Sequence, residues 1–233
     1  VKKIIGVSPQ ETAIANHLNA WENLTLMGCV YGLGKKKTKK RASELLDLLD
    51  ISGREKEQVR NYSGGMKRRL SIAMAMMSDP QILFLDEPTL GLDPKARKTM
   101  WNKIEGLKKS KTIVLTTHYL EEADALADRI AIIKEGKMIA LDTTDELKNN
   151  IKGMESILIK TKNISNDIIE GLKKMYPNIT LKSNNIELKA KKLNVDKIVD
   201  YLRSKEVNIE SISMKEPSLD DVFFELTHEE ENK

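Results

Sequence analysis

The 233 residues contain a single cysteine, Cys29, which excludes an internal disulfide or a multi-thiolate metal site and fits a reducing compartment. No apolar run approaches the roughly 18 residues needed to cross a bilayer, and the start lacks the basic, apolar and small-residue order of a secretory signal. Neither sign of charge dominates. The 39 basic and 35 acidic side chains leave +4, too mild a field to mark a nucleic-acid binder. Also lacking is the phosphate-cradling pattern G-x-x-x-x-G-K-[ST]. Gly34-Lys35 has Cys29 where the first glycine belongs and Lys36 after it, and Gly136-Lys137 has Ala131 and Met138 in those places.

What is present is an ordinary globular composition, 40% apolar and 32% charged, with material for a large core. The densest basic stretch, "GKKKTKKR" from Gly34 to Arg41, reads as a solvated loop entering a helix. From residue 1 to about 150 short apolar runs alternate with helical periodicity, the pattern of an α/β layer with parallel strands. "KKIIGVS" is a strand ending near Gln10, and a mostly helical insert of about residues 11–78 follows it. Helices are expected over Trp21–Leu33, Lys39–Leu49, Gly64–Met77 and Lys95–Lys109. The spacing of Leu70, Ala73, Met74 and Met77 makes those methionines core filling rather than ligands. "QILFLDEP" and "KTIVLTTH" read as buried strands, and "RIAIIKEGKMIALD" as a hairpin at the sheet's edge, turning at Glu135-Gly136.

Beyond residue 150 the order changes to β-α-β-β-α-β, the ferredoxin-like motif. It runs from "SILIKTK", through a helix opened by Ser165, two strands paired across Asn184-Asn185 and a helix carrying Ile198 and Leu202, to "VNIESISM". A small second domain at 151–227 and an acidic tail at 228–233 are therefore expected.

Chemistry concentrates in two stretches. In "ILFLDEP" two carboxylates stand at the carboxyl end of a parallel strand, the edge where open α/β sheets bind ligands. Asp86 suits Mg²⁺, a hard cation that prefers oxygen donors. Glu87, next along a strand and pointing the other way, suits polarising a water for in-line attack on a phosphate. In "YSGGMKRRL", Ser63 is a helix N-cap, and Gly64 and Gly65 clear side chains from the positive end of the helix dipole, where an anion can approach.

Together these stretches resemble the ATP-binding subunit of an ABC transporter, in its drug-resistance and multidrug exporter branch. "YSGGMKRRL" is similar to the family signature (Ser63, Gly64, Gly65), "ILFLDEP" to the Walker B strand (Asp86, Glu87), and "GLDP" to the D-loop with Asp93. His118 after the next strand resembles the switch histidine, and Gln10 in "VSPQET" the Q-loop glutamine that touches Mg²⁺ or the attacking water. "EPSLDDVF" from Glu216 to Phe223 resembles the tail of the exporter branch and is expected to fix that tail to the second domain.

The resemblance implies an ABC cassette of the P-loop NTPase class, its front part missing, plus the ferredoxin-like α+β domain. It implies ATP and Mg²⁺ as ligands, Glu87, His118 and Gln10 as catalytic residues, and Ser63, Gly64, Gly65, Asp86 and Asp93 as nucleotide-binding residues. Asp86 and Gln10 would serve the metal. The implied partners are a membrane permease and a second ATP-binding subunit, with no nucleic acid, on the cytoplasmic face of the plasma membrane. Without the phosphate loop, the chain alone is expected to bind and hydrolyse ATP poorly and to expose apolar sheet surface, the simplest cause being truncation of a longer protein. The alternatives are a non-catalytic half-site that lends its signature to a complete partner, and a soluble ABC ATPase outside transport.

Overall fold

The computed structural model describes residues 4–150, 155–162, 164–182, 185–190, 193–215 and 217–228. The chain divides into two compact units, Val1–Leu126 and Ala127–Lys233, so the division falls ahead of the expected boundary near residue 150.

In the first unit, β1 (Ile5–Ser8), β2 (Ile82–Asp86) and β3 (Thr112–Thr116) form a parallel sheet with β2 at its centre. The connection from β1 to β2 carries α1 (Ala20–Val30), α2 (Lys35–Leu48) and α3 (Gly64–Ala75), the helical insert expected there. Helix α4 (Pro94–Lys108) joins β2 to β3, and α5 (Leu120–Leu126) follows β3. Local signals set the boundaries. Asn19 Oδ1 accepts from Glu22 N at 2.9 Å while Glu22 Oε2 accepts from Asn19 N at 2.8 Å, a reciprocal cap that starts α1. Asp93 caps α4 by accepting from Lys95 N and Ala96 N at 3.0 and 2.9 Å, with Pro94 as the first helical residue.

The basic run is not a loop. Helix α2 begins at Lys35, because lysine is a good helix former and buried Thr38, Ala42, Leu45 and Leu46 give the segment a continuous inner face. Buried Leu24, Leu45, Leu70, Met74 and Met77 belong to one core with Leu83 and Leu85 of β2, so those methionines are core filling as their spacing implied.

The strands are less buried than their apolar runs suggest. Leu83 and Leu85 are 0% and 1% exposed, but the opposite face of the sheet carries Val7, Phe84 and Val114 in register, 57%, 37% and 42% exposed. No residue of β3 is fully buried. A run of apolar letters cannot report which sheet face finds a covering layer.

One ion-pair cluster ties this unit together. Asp79, in the left-handed region at φ 55°, accepts from Arg41 at 2.9 Å and from Lys111 at 2.8 Å. The hydrogen bond from Lys111, with Arg41 and Lys37 nearby, holds its carboxyl below the usual carboxylate range. Asparagine tolerates positive φ as aspartate does, so Asp79→Asn removes the charge without straining the turn. Because the folded-state pKa is depressed, the stabilisation is present above the unfolded value and lost as pH falls through the folded one. Urea unfolding at neutral pH is expected to show a loss of about 0.5–1 kcal/mol, as for partly exposed ion pairs. That difference should begin to shrink near pH 4, the unfolded value, and vanish only once the pH is below the depressed folded-state one.

In the second unit, β4 (Ile130–Lys134) and β5 (Lys137–Asp142) turn through Glu135 and Gly136, both at positive φ (51° and 76°), which is the mirror-type hairpin turn. The hairpin forms a two-stranded sheet of its own rather than an edge of the parallel sheet. Helix α6 (Thr144–Asn150) leads to β6 (Glu155–Lys162), α7 (Asn166–Met175), β7 (Asn178–Lys182), β8 (Asn185–Ala190), α8 (Val195–Ser204), β9 (Asn208–Lys215) and α9 (Leu219–His228). The antiparallel order β7-β8-β6-β9 gives the ferredoxin-like motif its expected topology. Ile157, Ile159, Leu172, Ile186, Leu188, Ile198 and Leu202 fill its core.

Asp221 secures α9: its carboxylate accepts from Ser218 N at 2.9 Å and pairs with Lys189 of β8. Burial would raise its pKa, but Lys189 and Ser218 outweigh that and hold it low. The described part of the Glu216–Phe223 motif thus anchors the tail, as expected. Glu216 itself, the turn residue Asn184 and residues 229–233 of the acidic tail lie outside the described residues.

Candidate functional site

Three chain segments meet where the parallel strands end. Gln10 follows β1, Glu87 follows β2, and Gly64 opens α3; all three line one cavity of about 200 Å³ with Lys67, Arg68 and the Leu90–Leu92 turn. Ser63 caps α3, its Oγ accepting from Met66 N at 3.3 Å. A side chain at Gly64 would meet nothing within 4 Å, so the space before the helix is open, whereas Gly65 lies beside Leu92 and Ala96. The start of α3 is therefore bare on its cavity side, as an anion site at the positive end of a helix requires.

Glu87 is directed by a turn rather than by strand alternation. Strand β2 stops at Asp86, and Glu87 takes φ 47°, a conformation that non-glycine residues rarely adopt. Its N–H donates to Thr116 O at 3.1 Å and to Thr116 Oγ1 at 3.2 Å, which fixes the turn against β3. The Thr116 hydroxyl donates to Asp86 Oδ1 at 2.5 Å, so one residue of β3 positions both acids. His118 Nδ1 lies 2.9 Å from each Glu87 carboxylate oxygen, and Oε1 takes the hydrogen bond. Oε2 is buried and takes no hydrogen bond of its own, its near neighbour being the same Nδ1. A buried acceptor left over beside a cavity is what a base awaiting a water would present.

The structure adds a residue that the sequence reading missed. Arg68, 5% exposed, donates through Nε to Pro88 O at 3.2 Å and through Nη1 to Pro9 O at 2.5 Å and Gln10 O at 3.3 Å. Its Nη2 donates to Asp86 O. Burial pushes the guanidinium pKa down, while the Asp86, Glu122 and Glu87 carboxylates act the other way. One side chain of α3 thereby ties together the two strand ends that carry Gln10 and Glu87. Its partners are backbone carbonyls, so no residue type signalled the contact. Nor did its place in the helix single it out, because Arg68 stands between Lys67 and Arg69.

Of the residues expected at the site, Gln10, Gly64 and Glu87 share the cavity, His118 contacts Glu87, and Asp86 is linked to it through Thr116. Asp93 is engaged as the N-cap of α4 and is not among the cavity-lining residues. Among the described residues no group of three or more His, Cys, Asp or Glu forms a metal cage.

Comparison with known proteins gives the family. Residues 1–90 match the ABC transporter family, and residues 143–227 match the C-terminal domain of ATP-binding proteins of the DrrA1-3 type. The linearmycin resistance ATP-binding protein LnrL of Bacillus subtilis is 34% identical over 97% of this chain and 75% of its own length. The chain belongs to the ATP-binding proteins of ABC transporters. Other members of this ABC family include the daunorubicin resistance ATP-binding protein DrrA3 of Streptomyces coeruleorubidus, 35% identical over 97% of the chain and 73% of that protein. Another is the doxorubicin resistance ATP-binding protein DrrA of Mycobacterium tuberculosis, 36% identical over 97% and 71%.

Solved ABC subunits share the fold. The ATP-binding subunit of an ABC transporter gives a TM-score of 0.55 at 28% identity, covering 64% of this chain and 62% of that one. A dimeric ATP-binding cassette in a post-hydrolysis state, bound to ADP and Pi, gives 0.53 at 28% identity, covering 61% and 65%. The chain thus spans slightly less than two thirds of these solved subunits.

Proposed function

We propose that this chain supplies ATP hydrolysis to an exporter of drug-like compounds, working with a second ATP-binding subunit and a membrane permease at the inner face of the plasma membrane. The meeting of Gln10 and Glu87 in one cavity, with His118 2.9 Å from Glu87, carries this reading. The resistance functions named for LnrL, DrrA3 and DrrA support the substrate class. Among the described residues no helix is long and apolar enough to cross a membrane, which fits attachment through a permease.

In this reading Glu87 Oε2, the carboxylate oxygen that does not take the His118 hydrogen bond, takes the proton of the attacking water. His118 orients Glu87 through Nδ1–H. With that proton committed, Nε2 donates to a phosphate oxygen only when the ring is protonated. Asp86, with one carboxylate oxygen held by Thr116, and the Gln10 side-chain carbonyl would supply oxygen donors to Mg²⁺, and the charge on the transferring phosphate would be neutralised by that ion when bound. Ser63, Gly64 and Gly65 present the α3 N-terminus to the nucleotide of the second subunit.

The test is Glu87→Gln in a transporter assembled from this subunit with a family phosphate loop supplied ahead of it, together with its permease. ATP hydrolysis should fall about a hundredfold or more while ATP stays bound, because the amide cannot accept the proton. An unchanged rate would remove Glu87 as the base. Export is tested separately by efflux of daunorubicin-like compounds from cells carrying both genes; no energy-dependent efflux across such a panel would sink the exporter reading.

A further inference from the structure

The lysine run of α2 takes no part in the cavity. Lys35, Lys36, Lys37, Lys39 and Lys40 are all exposed. They occupy the start of a helix with no acid in its first turn and no side-chain cap, where cations oppose the helix dipole. Compensation within the chain is slight. Among the described residues the ion pairs made from this stretch are Lys40 with Glu44 at 3.9 Å, and Arg41 with Glu44 and Asp79.

An apolar surface adjoins the run. At the end of α1, Leu26, Val30 and Tyr31 are 49%, 68% and 37% exposed, and Leu26 and Val30 stand one turn apart on the same face. Only Tyr31–Gly34 separates Val30 from the first lysine. The chemistry of this corner is selective. Lysine stems lie along apolar surface while their ammonium groups reach outward, and lysines beside exposed aliphatic side chains match a bilayer interface with anionic headgroups. Nucleic acid fits less well, because one tyrosine offers no platform for successive bases.

We infer that the α1–α2 corner is a docking surface for an anionic lipid bilayer, with the lysines on headgroup phosphates and Leu26, Val30 and Tyr31 at the acyl boundary. The inference rests on the proposed membrane location for its biological setting, but its test needs neither permease nor nucleotide. A failure here is therefore distinguishable from a failure of the transport reading.

The full chain is sedimented with vesicles of phosphatidylcholine alone and of phosphatidylcholine mixed with phosphatidylglycerol. Binding is expected to the mixed vesicles only and to be lost at high salt. Lys36→Gln, Lys39→Gln and Lys40→Gln combined should weaken it about a hundredfold, and Val30→Ser with Tyr31→Ser about tenfold. All five positions are exposed, and an unchanged circular dichroism spectrum verifies folding. Equal binding to neutral vesicles, no binding to either, or retained binding by the triple lysine variant overturns the inference. Tighter binding to a duplex RNA competitor than to the anionic vesicles overturns it in favour of a nucleic-acid surface.

Discussion

Arg68→Ala is expected to destabilise the first unit by about 3 kcal/mol. The wild-type guanidinium reaches carbonyls of Pro9, Gln10, Asp86 and Pro88, and its removal leaves these acceptors short of a donor beside a cavity that readmits water only in part. Buried acceptors stripped of their partner cost about 1–3 kcal/mol each when nothing replaces it. Water entering through the cavity brings the sum down to the figure given. Arg68→Lys keeps the charge but replaces a planar fork with a single ammonium, which cannot span acceptors on two strand ends. It should recover less than half of the loss.

Both tryptophans, Trp21 and Trp101, lie in the first unit, so their fluorescence during urea unfolding of the whole chain reports that unit selectively. A transition unchanged in Arg68→Ala would mean that the four carbonyls find other donors. The same variant should loosen Gln10 and Glu87 relative to each other. Hydrogen exchange at the backbone amides of Gln10, Glu11, Asp86 and Glu87 is then expected to rise more than exchange in the core of α3.

Gly6→Ala should cost about 3 kcal/mol, at the upper end of overpacking effects. Gly6 sits in β1 opposite Leu83, and a Cβ there would come within 2.4 Å of Ala75 O and 2.9 Å of Pro80 Cγ. The nearer atom is backbone at the end of α3, so no rotamer change relieves the clash; β1 or the helix end must shift. The glycine is needed for close approach and not for an unusual backbone angle. Gly32 offers the contrast. Its Cβ would meet open space, but its φ of 69° strains any other residue, so Gly32→Ala acts through backbone conformation alone and should cost only about 1 kcal/mol. Thermal unfolding of the two variants side by side distinguishes the mechanisms; similar small losses would mean that β1 yields readily.

The two halves of the chain were legible to different depths. The β-α-β-β-α-β order of the second unit followed from alternating and helical periodicities, because each element there buries one face against a single core. The first unit was harder. Its apolar strands looked buried on both faces, yet Val7, Phe84 and Val114 are substantially exposed. The lysine run looked like a loop because charge density dominated the reading, while the inner face set by Thr38, Ala42 and Leu45 was decided by packing against α1 and α3.

The sequence by itself determined the order of the residues proposed to carry the chemistry: Gln10, Ser63-Gly64-Gly65, Asp86-Glu87 and His118. These are local patterns of short range. Tertiary structure alone decided how they meet. The left-handed turn that aims Glu87, the Thr116 hydroxyl on Asp86, the His118 contact and the Arg68 clamp all join segments distant in the chain. Several of these contacts use backbone carbonyls and N–H groups, which every residue carries alike, so no pattern of side chains could announce them. Their positions follow only once the strands are paired and α3 is packed against the sheet.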